Sequence, residues 1–226
     1  MLQDLTNIKI NCTSLCSNTA SNVTNFKLNI YDLTNYGCSN INNCILNANA
    51  CSEITYNSCD CCTMNAKTIY SCYYSSVSNY VLNCDKIHTC ELNCCTNINI
   101  NCLTLAYCSL TQCKNLNITC SCILYCTFNT VDCVNIQCQT LSQCNFGIIN
   151  NININVMSIV LNTFGDGRLI NITCYHEYYN SFRNLFAFIS VNIFDSNTYS
   201  YVRFGHAPST SINKNVVVNC QLIWDV

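Results

Sequence analysis

Apolar and polar residues alternate in short strict runs along most of this chain. In "TNININC", residues 96–102, Ile98, Ile100 and Cys102 fall on one side and Asn99 and Asn101 on the other. This period of two marks a half-buried strand. Apolar-Asn-apolar triplets of the same kind centre on Asn11, Asn29, Asn47, Asn65, Asn83 and Asn101, each 18 positions after the last. After one step of 16, Asn117, Asn135, Asn153 and Asn171 resume the period, which predicts a turn shortened by two residues between Cys113 and Leu116. Other columns keep their character at fixed offsets from the Asn. Ile54, Cys72, Cys90, Cys108 and Leu124 lie seven residues on, Cys38, Tyr56, Tyr74, Leu92, Leu110, Cys126 and Cys144 nine on, and Ser21, Ser39, Asn57, Ser75, Asn93, Thr111, Thr127 and Asn145 ten on, a polar column suited to a corner. In the second run Phe128, Phe146, Phe164 and Phe182 form a phenylalanine stack.

A period of 18 with strand-like alternation is too short for helical repeats and predicts an all-β parallel β-helix, or β-solenoid, with one coil per repeat. Strands about 4.8 Å apart make ten coils a rod of roughly 45 to 50 Å. The columns lack a left-handed hexapeptide pattern, which favours a right-handed coil. Within each coil Ile, Leu and Cys are expected inside, while the Asn side chains form a ladder either facing water or filling a corner from within. The repeat region is assigned to residues 1–175. Residues 176–226, rich in aromatics and without the register, are assigned to a C-terminal cap or oligomerisation head. There "YHEYYNSFRNLFAFI" places Tyr178, Phe182, Leu185 and Ile189 at helical spacing, although "NLFAFISVNIF" reads as strand.

Composition narrows the function. Charged residues are 9% of the chain and the formal net charge is −2, so nothing draws nucleic acid or anionic lipid. Apolar runs fall short of the roughly 18 residues needed to cross a bilayer, and the first residues lack a signal peptide's basic and apolar regions. That start is expected of a mature chain, a fragment or a protein that is not exported. The repeat begins almost at Met1 with no cap motif, as in a fragment or in a coil that stacks on another molecule.

Most of the 24 cysteines line up one coil apart: Cys44 with Cys62, Cys72 with Cys90 and Cys108, Cys84 with Cys102, Cys95 with Cys113, Cys120 with Cys138, and Cys126 with Cys144. Three readings compete. Cys can be a small apolar core residue; neighbouring coils can bring pairs within disulfide reach; or "SCDCC", Cys59 to Cys62, together with Cys94-Cys95 can bind metal. The last is disfavoured, because a structural zinc site wants paired Cys-x2-4-Cys knuckles. No metal and no cofactor is expected. Nor is a catalytic residue, since Asp32, Glu53, Asp60, Asp85, Glu91 and Asp132 are scattered and no two share a neighbouring outward position. His88 and His176 read as one column about five coils apart, too far to act together. His176, Glu177 and Arg183 form the densest polar group, set among aromatics as in a cap.

The recurring "INC", "LNC" and "NITC" rungs over residues 7 to about 175 resemble the Cys- and Asn-rich parallel β-helix repeats in proteins of giant viruses and protists. The resemblance is one of repeat style and carries no catalytic residue. It implies a non-enzymatic structural or surface protein, such as a fibre segment, at an extracellular, cell or virion surface, associating with itself end to end or through its C-terminal segment. The alternatives are a glycan- or ice-binding module on the Asn face and, third, a carbohydrate-active β-helix enzyme. Sequons at Asn11, Asn22, Asn117 and Asn171 would accept glycans in a secreted chain.

Overall fold

The structure, a computed structural model, describes residues 1–178, 180–182, 189–193, 200–204, 215–216 and 220–224. Its strands pair in parallel, each residue facing the one 18 positions on, from Leu2 with Ala20 to Val160 with Tyr178 and Phe164 with Phe182. The chain is a β-solenoid of about ten stacked coils, and no helix occurs among the described residues.

One coil shows why this sequence winds. Strand Thr96–Asn101 carries the alternation and Thr104–Ala106 and Ser109–Thr111 follow; Cys94 before them, Asn97 at the start of the first, Tyr107 between the last two and Gln112 after them have φ of +53° to +56°. Those left-handed residues form three columns through the stack, represented by Asp4, Asn7 and Ser17 in the first coil. Where the chain runs straight, inward residues are two apart, as at Ile98, Ile100 and Cys102. Across each left-handed corner they are three apart, as at Leu92, Cys95 and Ile98, at Leu105 and Cys108, and at Leu110 and Cys113. No glycine takes these corners; Asn and Ser hold many of them, but so do Tyr107, Tyr125, Leu161 and Leu169. A left-handed conformation costs an L-residue roughly 1–2 kcal/mol, so the corners hold because coil-to-coil hydrogen bonds and the packed interior outweigh them. Backbone bonds continue through the corners, for example Cys94 N–H to the Thr111 carbonyl at 3.0 Å and Thr96 N–H to the Val77 carbonyl at 3.0 Å.

The core is a set of like-on-like stacks. Tyr56 lies on Tyr74 with centroids 5.2 Å apart, and Tyr80 meets both edge-on. Phe128, Phe146 and Phe164 stack at 4.7 Å per step, within 7° of parallel. Such rings contribute about 0.5–1.5 kcal/mol per pair beyond their burial.

The expected two-residue deletion is absent. Asn117 faces Asn99, and Asn101 faces Thr119, so the register of 18 runs unbroken through this coil. The ladder moves instead from one outward position to the other on the same strand. An outward column can shift by two residues without disturbing the interior, because a strand returns to the same face every second residue. With the register restored, the Phe column continues the Tyr56–Leu110 column, and Cys72 to Cys144 form one column. His176 accordingly stands over Ser158, in the column of Lys86 and not that of His88.

The segment assigned to a cap lies mostly outside the described residues, including Tyr179, Arg183 and Leu185. Its described pieces continue the parallel pairing with irregular offsets: Ile170 with Ile189, Asn180 with Val202, Asn192 with Asn215, and Ser200 with Cys220. Ile189–Ile193 is a strand, so the helical spacing there does not make a helix. A β-ladder partner outweighs a short amphipathic pattern.

Candidate functional site

Two sets of side chains give this solenoid its chemistry: the thiols at its corners and the amides on its outer face. The cysteines from Cys12 to Cys174 are all free thiols. The inward cysteines hydrogen-bond the backbone by a recurring rule. In the column that follows the Tyr107-type corner, Cys72, Cys90, Cys108, Cys126 and Cys144 each donate to the carbonyl two residues earlier, at 3.2 to 3.5 Å. Cys90 and Cys108 also accept N–H groups of Cys72 and Cys90, at 3.3 and 3.4 Å. Cys59, Cys62, Cys95 and Cys113 follow the other corners and donate in the same way, at 3.1 to 3.4 Å.

The column then changes residue and keeps its bonds. Asn162 accepts the Cys144 N–H at 2.8 Å and donates to the Leu141 and Val160 carbonyls, both at 3.0 Å, and Asn180 accepts the Asn162 N–H at 2.9 Å. A thiol and an amide therefore do one job: they give backbone groups at the left-handed corner a side-chain partner inside the coil, accepting an N–H one coil before and adding a second bond to a carbonyl that already takes a corner N–H, as Val160 takes that of Gln143. Buried polar groups demand such partners, and Cys fits because its small side chain donates, accepts and still packs as an apolar group.

The structure brings together every sequence-aligned cysteine set. The sulfur contacts of Cys44 with Cys62, Cys84 with Cys102, Cys95 with Cys113, Cys120 with Cys138 and Cys126 with Cys144 fall in neighbouring coils. It adds Cys102 with Cys120 and Cys108 with Cys126, which the supposed deletion had separated. Hydrogen bonds from Cys126 and Cys90, with burial, push the Cys108 thiol well above the ordinary range, and burial pushes Cys59 up to about 11. In "SCDCC", Cys59 and Cys62 point inward and Cys61 outward, so the three do not converge. Among the described residues, no three of His, Cys, Asp and Glu are placed to hold a metal ion together.

The Asn ladder faces outward. Each amide donates to the carbonyl oxygen of the Asn one coil before: Asn29 to Asn11 at 2.6 Å, Asn47 to Asn29 at 2.7 Å, Asn65 to Asn47 at 2.8 Å, and Asn83 and Asn101 onward at 2.9 Å each. The second flight starts from Asn99 and runs through Asn117, Asn135 and Asn153 to Asn171, at 3.0 to 3.4 Å. The sequon residues Asn11, Asn117 and Asn171 are exposed members of these ladders. A further ladder, not read from the sequence, occupies a corner column: Asn25 donates to Asn7, Asn43 to Asn25, Asn97 to Asn79 and Asn115 to Asn97. Its signal was Asn at positions 7, 25, 43, 79, 97 and 115, hidden among 38 asparagines. Where Cys61 and Cys133 interrupt it, Asp60 and Asp132 accept from Asn79 and Asn151 instead.

Beside the second ladder, Thr119, Gln137, Asn155 and Thr173 form a parallel outward column, and the two columns wall an open trough of about 450 Å³. Elsewhere on the surface Tyr70 stacks on His88, and Tyr107 on Tyr125 with centroids 4.8 Å apart, forming an exposed aromatic ridge. Two carboxylates of the central coils have no acidic neighbour in register. Glu91 lies between Tyr73 and Ser109, and Asp60 between Asn42 and Ser78.

Comparison with protein-family models, with curated proteins and with solved structures returned no match.

Proposed function

We propose that this chain is a non-enzymatic structural protein, a rod that builds fibres or surface layers by stacking its coils on those of another copy. The supporting observation is the repeat itself. Each coil pairs with the next in one register of 18 residues, with like side chains stacked on like, so the edge of any such stack presents an apolar interior beside a row of N–H and C=O groups, a template for another coil in the same register. The inward Ile8 and Ile10 belong to the columns of Phe26 and Leu28. The resemblance to Cys- and Asn-rich β-helix proteins of giant viruses and protists fits this role and an extracellular, cell-surface or virion-surface location.

Electron microscopy and sedimentation of the purified protein at rising concentration, with and without reductant, test this reading. Rods longer than one molecule that are present in both conditions are expected. Substituting Ile8 and Ile10 by Lys is expected to abolish them without unfolding the later coils. A monomer at all concentrations would rule the proposal out.

A further inference from the structure

We infer that the trough along residues 117–173 is a binding site for a neutral, linear polysaccharide lying parallel to the coil axis. Its walls carry only amides and hydroxyls, with no charged side chain, across four successive coils. Rungs follow about every 4.8 Å, and the two walls stand two residues apart along each strand, roughly 6.6 Å. An uncharged lattice gives no advantage to an anionic or cationic polymer. It suits a chain of hydroxyl groups, each of which can donate and accept.

The ladder prepares one wall for this. An Asn side chain has two donors and an acceptor oxygen with two lone pairs. Asn135 spends one donor on Asn117 and one lone pair on Asn153. The remaining N–H and lone pair are held in a fixed direction on every rung. A ligand that meets them immobilises no loose side chain, so the usual entropic cost of ordering the contact residues is largely avoided. The opposite wall mixes residue types, Thr119, Gln137, Asn155 and Thr173, and Gln137 and Asn155 are exposed.

The ladder's change of position points the same way. Below it, the neighbouring outward column holds Lys9, Lys27, Ile45, Thr63 and Val81, where apolar residues on either side of Thr63 break any continuous polar wall. Above it, two hydrogen-bonding columns run side by side. The core does not require the change, since Ile98, Ile100, Leu116 and Ile118 keep their register through it. The trough also lacks an aromatic platform, so recognition rests on many weak polar contacts in series. A polymer spanning several rungs should bind where a mono- or disaccharide does not.

Affinity electrophoresis of the full chain tests this, through gels carrying hydroxyethylcellulose, mixed-linkage β-glucan, mannan or amylose, with polygalacturonate and heparin as polyanion probes. Retardation by at least one neutral polymer is expected, unchanged between about 0.05 and 0.5 M salt because no counterions are released. The double variant Gln137→Leu/Asn155→Leu changes two exposed side chains outside the ladder, and it should lower the apparent affinity at least tenfold with an unaltered melting temperature. Lys27→Leu, on the lower coils, should bind as the parent does. The inference is overturned if no neutral polymer retards the chain, if only polyanions do so and salt abolishes it, or if the double variant binds as before. Depression of the freezing point without polysaccharide binding would also overturn it, assigning the lattice to ordered water. None of these outcomes depends on whether the rods stack end to end.

Discussion

Replacing Asn162 should expose how the interior corners are held. This side chain is 1% exposed and makes three bonds to the backbone, accepting from Cys144 N–H and donating to the Leu141 and Val160 carbonyls. Asn162→Ala takes this side-chain partner from the Cys144 N–H and the Leu141 carbonyl in a dry interior, while the Val160 carbonyl keeps the Gln143 N–H at 3.0 Å. At about 1–3 kcal/mol for each of these two groups, with partial relaxation, the expected loss is about 2–4 kcal/mol. Asn162→Cys restores the arrangement seen at Cys108 and should recover about half of that, leaving a deficit of about 1–2 kcal/mol for weaker sulfur bonds. The converse change, Cys108→Asn, should be tolerated better than Cys108→Ala. Urea unfolding under reductant gives the overall ranking. Because repeat arrays can lose cooperativity, amide exchange at Cys144 gives the local value, and protection there should fall in the Ala variant and return in the Cys variant. If Asn162→Cys is no more stable than Asn162→Ala, the equivalence of thiol and amide at these corners is wrong.

Two further perturbations address the core. Phe146 is held between Phe128 and Phe164; Phe146→Ala should cost about 3–5 kcal/mol, and Phe146→Leu far less, since Leu92 and Leu110 occupy the same column. Equal losses in thermal unfolding for the two variants would refute a stack that accepts either residue. Burial raises Cys59 to about 11 and, with Asp32 nearby, Cys51 to about 12, while unfolded thiols ionise near 8.5. Above that pH the unfolded chain binds fewer protons than the folded one. Stability is therefore full below about pH 8.5 and falls as pH rises, by about 1.4 kcal/mol per unit for each such thiol until its folded value is reached. Cys59→Val, matching Val77 in the same column, should flatten the fall seen in urea midpoints between pH 8 and 10; a midpoint independent of pH in the parent would contradict it.

Strand alternation and the period of 18 were legible because the interior imposes them at every coil, and this was enough for the fold. What misled was the outward face. Asn101 and Asn99 are equally outward, so following asparagine alone turned a sideways step of the ladder into a deletion. The inward cysteines held the correct register all along, with Cys90, Cys108 and Cys126 at even steps of 18. The corners were only partly readable. A polar column at Ser21, Ser39 and Asn57 flags one turn, but the left-handed residues are their successors Asn22, Asn40 and Ser58. At Tyr107 and Leu161 no turn residue marks the corner, because the neighbouring coils impose the conformation. The bonding role of the thiols was not legible either. Burial and alignment can be read from spacing, whereas a sulfur's carbonyl partner depends on how the corner aims the backbone.

The uniform register also sets how such a chain can assemble itself. Most of its pairings join residues 18 apart in a chain of 226, a relative contact order of about 0.08, which falls among helical bundles and well below ordinary all-β folds. Parallel sheets usually wait for distant segments to meet. Here each new coil finds its partner in the one just completed, so one formed nucleus can extend by short, repeated closures. A ribosome releasing the chain would deliver it in the order in which it can be laid down.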